Sequence, residues 1–129
     1  MANYSYARKV ECSFEEAEQR MKDEFAEEGF GVLTEVDVRA TFREKLDIDY
    51  LAYKILGICN PPNAKESLKL EKELGLLLPC KAIVYEGDEG ETFVSVVKPT
   101  KLLGVTENQD LVELGRKIER RMEQALGRV

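Results

Sequence analysis

Cysteine offers the most chemistry in this sequence, at Cys12, Cys59 and Cys80. Cys59 and Cys80 each border a proline-containing break and fall at the ends of expected strands. Cys59 directly precedes Asn60-Pro61, where a helix is expected to begin. Free N–H groups at a helix start favour a thiolate and lower its pKa. Two thiols so placed point to redox exchange, sulfur carriage as a persulfide, or soft-metal binding. Two thiolates alone leave a zinc site incomplete, so a second subunit would have to complete it. No metal and no cofactor is assigned on this basis. The competing reading is structural, because free cysteine packs as a small hydrophobe and is among the most buried residue types. Cys12, ahead of a helix cap, is read as structural.

Around the two thiols, Tyr50, Tyr53 and Tyr85 are expected to line a pocket beside Cys59. Tyrosines give such a wall an apolar body and a polar tip, although strand aromatics equally suit a core. Lys54 is a lone cation in an apolar strand. It snorkels to the sheet edge, binds an anionic ligand or pairs with a carboxylate. Asn60 before Pro61, or Asn63 before Glu66, is placed to cap the helix that follows. The candidate ligand pocket or thiol site is therefore Cys59, Cys80, Asn60, Lys54, Tyr53 and Tyr85.

Composition narrows the chemistry further. The chain has no histidine, which removes Ser-His-Asp and Cys-His catalysis, histidine-ligated haem and every His-containing zinc site. Acid–base work would fall to Asp, Glu, Lys, Tyr or Cys. No strand is followed by GxGxxG, and GxxxxGK[ST] is missing, so nucleotide-binding motifs are absent. Gly29-Phe30-Gly31 joins a helix to a strand, the reverse of a phosphate loop. The net charge of −6 repels a phosphate backbone, so no nucleic-acid partner is expected. The basic run Arg116, Lys117, Arg120, Arg121 and Arg128 is interleaved with Glu113, Glu119 and Glu123, as on a solvated helix. Glu15, Glu16 and Glu18 complement a helix dipole. Asp47-Ile48-Asp49 is a turn with too few oxygens for calcium. Nothing pairs the acids convincingly for hydrolysis, and no catalytic constellation is complete.

The elements that must position these groups follow from periodicity. A strand is expected over Tyr4–Glu11. Ser13-Phe14-Glu15-Glu16 reads as a capping box opening a helix that carries Phe14, Ala17, Met21 and Phe25 and stops at Gly29. Phe30–Val38 reads as the second strand and Arg39–Leu46 as a short helix. Tyr50–Ile58 reads as a third strand, apolar on both faces apart from Lys54 and so central and covered. A helix then runs to about Leu74 and stops at Gly75. Leu76-Leu77-Leu78-Pro79 is an apolar connector that must be buried or paired with another subunit. Cys80–Glu86 and Glu91–Val97 form a hairpin through Gly87-Asp88-Glu89-Gly90. Leu102 and Leu103 pack ahead of a last helix that begins near Thr106, with Leu111, Leu114, Ile118, Met122 and Ala125 facing inward.

This order, with its adjacent strand pair, indicates an α+β fold in one domain over residues 1–129, with helices on one face of a mostly antiparallel sheet. No apolar run reaches the roughly 18 residues of a membrane span. Met1–Tyr6 lacks a basic region followed by an apolar one, so no signal peptide is expected and a reducing cytoplasm is the expected compartment.

The run Tyr53-Lys54-Ile55-Leu56-Gly57-Ile58-Cys59-Asn60-Pro61 and the run Gly75-Leu76-Leu77-Leu78-Pro79-Cys80, followed by Ala82–Tyr85, resemble signatures of the domain of unknown function 302 family. Gly29–Val38 and the helix Ala40–Leu46 are similar to its first half, so the resemblance covers nearly the whole chain. It implies a compact α+β protein with a curved antiparallel sheet, which here would be built from the five strands read above, often a homodimer, and no established activity. Two positions depart from the family's pattern. Asn63–Lys69 lacks the aromatic and histidine residues associated with the helix after the first motif, and Lys81 stands where Asn is expected. The expected function is a small cytoplasmic module, homodimeric, binding a small ligand near Cys59 and Cys80. The alternative is a thiol-dependent redox, sulfur-transfer or soft-metal-binding protein using the same pair.

Overall fold

The computed structural model describes residues 2–129. Strand β1 (Ser5–Val10) leads into helix α1 (Phe14–Glu27), strand β2 (Gly31–Asp37) and helix α2 (Val38–Leu46). Strand β3 (Tyr53–Cys59) precedes helix α3 (Pro61–Leu70) and a 3-10 turn over Lys72–Leu76. The hairpin of β4 (Cys80–Glu86) and β5 (Thr92–Val97) follows, then helices α4 (Pro99–Gly104) and α5 (Gln109–Gly127). The five strands form one antiparallel sheet in the order β1-β5-β4-β3-β2. The α+β class with a hairpin-containing antiparallel sheet is as the sequence indicates. No helix among the described residues is long and apolar enough to cross a membrane.

Pleating sends alternate residues of each strand to opposite faces. Leu56, Ile58, Cys80, Ala82, Val84, Val94 and Val96 share one face and are buried there. They meet Ala17, Met21 and Phe25 of α1 and Ile118, Met122 and Ala125 of α5 in one core. A smaller core of Leu74, Leu103 and Leu111 joins the 3-10 turn, α4 and α5, with Leu77 and Leu78 packed against it.

Local chemistry sets the element ends. Ser13 Oγ accepts the Glu16 N–H at 3.1 Å, so the serine half of the capping box forms. The other half is replaced, because the Glu16 carboxylate accepts from Arg20 at 3.0 Å. Of the basic residues near the C-terminus, Arg116 pairs with Glu113 within α5, and Arg128 pairs with Glu24 and Glu28 at the end of α1. Asp37 caps α2 through the Ala40 N–H, and Asp47 ends it in the left-handed region at φ 53°.

Five expectations are corrected. The third strand begins at Tyr53, because Tyr50 turns away to pack edge-on against Phe42 of α2, with ring centroids 4.9 Å apart. That strand is one place from the sheet edge, and β4 holds the central position. The third helix ends at Leu70, where Glu71 adopts an extended backbone before the 3-10 turn. The apolar connector divides, since Leu77 and Leu78 face the smaller core while Leu76 is 83% exposed. The last helix starts at Gln109 because Asn108 caps it, and Thr106 closes the preceding turn through Leu103 O.

Candidate functional site

The end of β3, the start of β4 and the length of α3 surround an apolar cavity of about 260 Å³. Ile58, Cys59 and Asn60 form one wall, and Leu78, Pro79 and Cys80 form the next. Their adjacency follows from register, in which Ile58 pairs with Cys80 across the two strands. Ile118 and Met122 of α5 close the cavity from the core side.

Two of the polar side chains that line the cavity, Asn60 and Ser67, are committed to the fold. Asn60 Oδ1 accepts the Asn63 N–H at 3.2 Å and so caps α3, while Asn60 Nδ2 donates to Gly29 O at 3.1 Å. Ser67 Oγ donates to Asn63 O at 2.9 Å. Asn63 also lines the cavity, its side-chain amide holding no hydrogen bond among the described residues, and the rest of the lining selects mainly by shape and apolar contact.

The thiols do not behave as their position before a helix suggests. Burial raises the pKa of Cys59. Burial, reinforced by the nearby Cys59, pushes Cys80 up to about 11. The expected lowering at a helix N-terminus does not occur for a local reason. The first two residues of α3 are Pro61 and Pro62, which carry no N–H, and the next N–H, of Asn63, is taken by Asn60. Neutral thiols are poor nucleophiles and poor metal ligands, so the thiol-dependent alternative gains no support. Among the described residues no group of three or more His, Cys, Asp and Glu side chains is placed to hold a metal.

Of the six residues singled out in the sequence, the structure brings Cys59, Cys80 and Asn60 together at the cavity. It places the other three elsewhere. Lys54 lies on the core side of the sheet, where its Nζ donates to Glu18 Oε2 of α1 at 3.1 Å. Tyr53 and Tyr85 lie on the opposite face, where Tyr53 stacks on Tyr85 at a centroid separation of 5.4 Å and Tyr85 on Phe93 at 5.2 Å. The expected tyrosine wall beside Cys59 is therefore corrected to a separate aromatic row across β3, β4 and β5. Tyr50 belongs to neither, being packed on Phe42.

Sequence reasoning missed Leu33, Ser67 and Leu68 as cavity residues and took Ile118 and Met122 as ordinary core. Leu33 is unpaired because the register shifts between Val32 and Thr34, and such a bulge re-aims a side chain. No local signal marks it. For Ala64 and Leu68, spaced four apart on α3, the helical period was a usable signal.

A model of the family described as Domain of unknown function DUF302 matches residues 6–129. The chain is similar to the crystal structure of an uncharacterized conserved DUF302 protein from Bacillus stearothermophilus, at 34% identity and a TM-score of 0.91, over 98% of each chain. No curated protein matches.

Proposed function

This chain belongs to the DUF302 family, and from that premise we propose that it is a one-domain binding module that takes a small apolar ligand in the cavity beside Cys59 and Cys80. The cavity itself carries this reading. An engineered apolar cavity of about 150 Å³ suffices to bind benzene, and this one measures about 260 Å³. The test is titration with a neutral apolar fluorophore such as N-phenyl-1-naphthylamine. One saturable site per chain is expected, lost in Ala64→Phe, which fills the cavity, with the circular dichroism spectrum retained. Absence of saturable binding, or binding indifferent to Ala64→Phe in the folded variant, overturns the reading.

A second observation favours a homodimer. The sheet face opposite α1 and α5 carries the Tyr53, Tyr85 and Phe93 row beside Ile55 and Ile83, with Val36 45% exposed. Aromatic residues on an uncovered face are the composition of interface centres. Sedimentation at micromolar concentration should give a dimer, and Ile83→Lys a folded monomer. A wild-type monomer removes this part of the proposal. The three unpaired cysteines support a reducing, cytoplasmic setting.

A further inference from the structure

The cavity does not end at Cys59. Leu33, Cys59, Ala64 and Leu68 line both the cavity and an outer groove, so an apolar strip runs continuously from one to the other. The groove is edged by Lys65, Lys69 and Lys72. Among the described residues no acidic residue lines either space.

Helix periodicity produces this arrangement. Ala64 and Leu68 form one four-residue step on α3, and Lys65 and Lys69 form the adjacent step. The helix therefore presents an apolar edge beside a cationic one, and Lys72 in the 3-10 turn extends the cationic side. Of the three lysines only Lys69 has an ion pair among the described residues, with Glu66 at 3.5 Å. Both partners are more than 60% exposed, so the pair competes weakly for the ammonium group. Glu66, Glu71 and Glu73 balance these lysines along the segment, but of these charged residues only the lysines line the groove, so the cationic groups are the ones turned to the mouth of the cavity.

We propose that the ligand is a single-chain amphiphile with an anionic head, of the class of a medium-chain fatty carboxylate. Its hydrocarbon chain fills the cavity past Cys59 and its carboxylate lies in the groove among Lys65, Lys69 and Lys72. This rests on the apolar-ligand reading above and adds the head group and the length. Taking a methylene as roughly the ~30 Å³ of a water, the cavity holds a chain of about eight or nine carbons.

The test is displacement of bound N-phenyl-1-naphthylamine by hexanoate, octanoate, decanoate, dodecanoate and decanol at pH 7.5. It is run on the wild type and on Lys65→Gln/Lys69→Gln/Lys72→Gln. Affinity should tighten about fourfold per methylene up to octanoate or decanoate and then level off. Decanoate should outcompete decanol by roughly tenfold, the effect of one charge-assisted contact, and the triple variant should erase that preference while leaving decanol unchanged. Equal binding of decanoate and decanol, or a preference that survives in the variant, overturns the head-group assignment and leaves the cavity reading standing. Bound fluorophore that no chain displaces overturns the chain assignment. Failure of the fluorophore itself to bind overturns the apolar-ligand reading first.

Discussion

Glu18 of α1 and Lys54 of β3 meet at 3.1 Å across the helix–sheet junction, and Lys22 holds the same carboxylate oxygen at 3.0 Å. Burial alone would raise the pKa of Glu18, but the hydrogen bonds from Lys22 and Lys54 outweigh it and leave it below the ordinary glutamate value. A depressed carboxylate contributes stability above its unfolded pKa and loses that contribution as the pH falls through the folded value. Glu18→Gln should therefore cost about 1–2 kcal/mol at pH 7. The difference from wild type should shrink to nothing in acid, below the depressed value. Urea midpoints across pH check both points, and a pH-independent difference would contradict the assignment.

Cys59 and Cys80 should resist alkylation in the native protein. The Cys80 thiol, pushed to about 11 by burial, is almost wholly protonated at pH 8. Peptide mass spectrometry after iodoacetamide treatment should show slow modification of both, accelerating on unfolding. The same shift has a stability consequence. The unfolded chain releases these protons first, so stability falls as the pH rises from the ordinary thiol value toward 11. Rapid labelling of Cys59 at neutral pH in folded protein would restore the thiol reading.

Gly57→Ala should destabilise the fold by about 1–3 kcal/mol, the cost of overpacking. An added Cβ would lie 2.7 Å from Pro79 Cγ and collide with Thr34 Oγ1. Thermal unfolding should show part of the loss recovered in Gly57→Ala/Thr34→Ala, because that second change removes one of the two obstructions.

Helix α4 has no side-chain cap of its own, and α5 provides one. Glu119 Oε1 accepts both the Thr100 N–H at 3.0 Å and the Thr100 hydroxyl at 2.6 Å. Glu119→Ala should cost about 1 kcal/mol, within the range of a lost cap. Hydrogen exchange should show the increased opening at Thr100–Leu103. Unchanged protection there would show that packing alone holds α4.

The elements legible in the sequence were those announced by local chemistry. Ser13, Gly29 and the Gly87–Gly90 loop gave helix and hairpin limits within a residue or two. The short helix α4 was missed because Lys98 supplies no capping side chain and its six residues are too few to show a period. At the site, Cys59, Asn60 and Cys80 were legible because proline breaks mark strand ends, and strand register then joins those ends. Lys54, Tyr53 and Tyr85 were placed wrongly because sequence alone fixed neither the face nor the end of the sheet they occupy. Lys54 was nonetheless read correctly in one of its alternatives, as a partner for a carboxylate.

The strand order also constrains how the chain is assembled in time. Strands β2 to β5 are each hydrogen-bonded to the next in the chain, whereas the sole sheet neighbour of β1 is β5, with Ser5 opposite Val97. Such distant pairing carries a loop-closure cost that local hairpins avoid. During synthesis the first strand has no template until Thr92–Val97 has left the ribosome, while the four-strand meander completes itself as it emerges. A chain interrupted before Thr92 thus leaves the flank of β4 open and β1 without a partner, and the first of the five strands to be made is the last to find its place in the sheet.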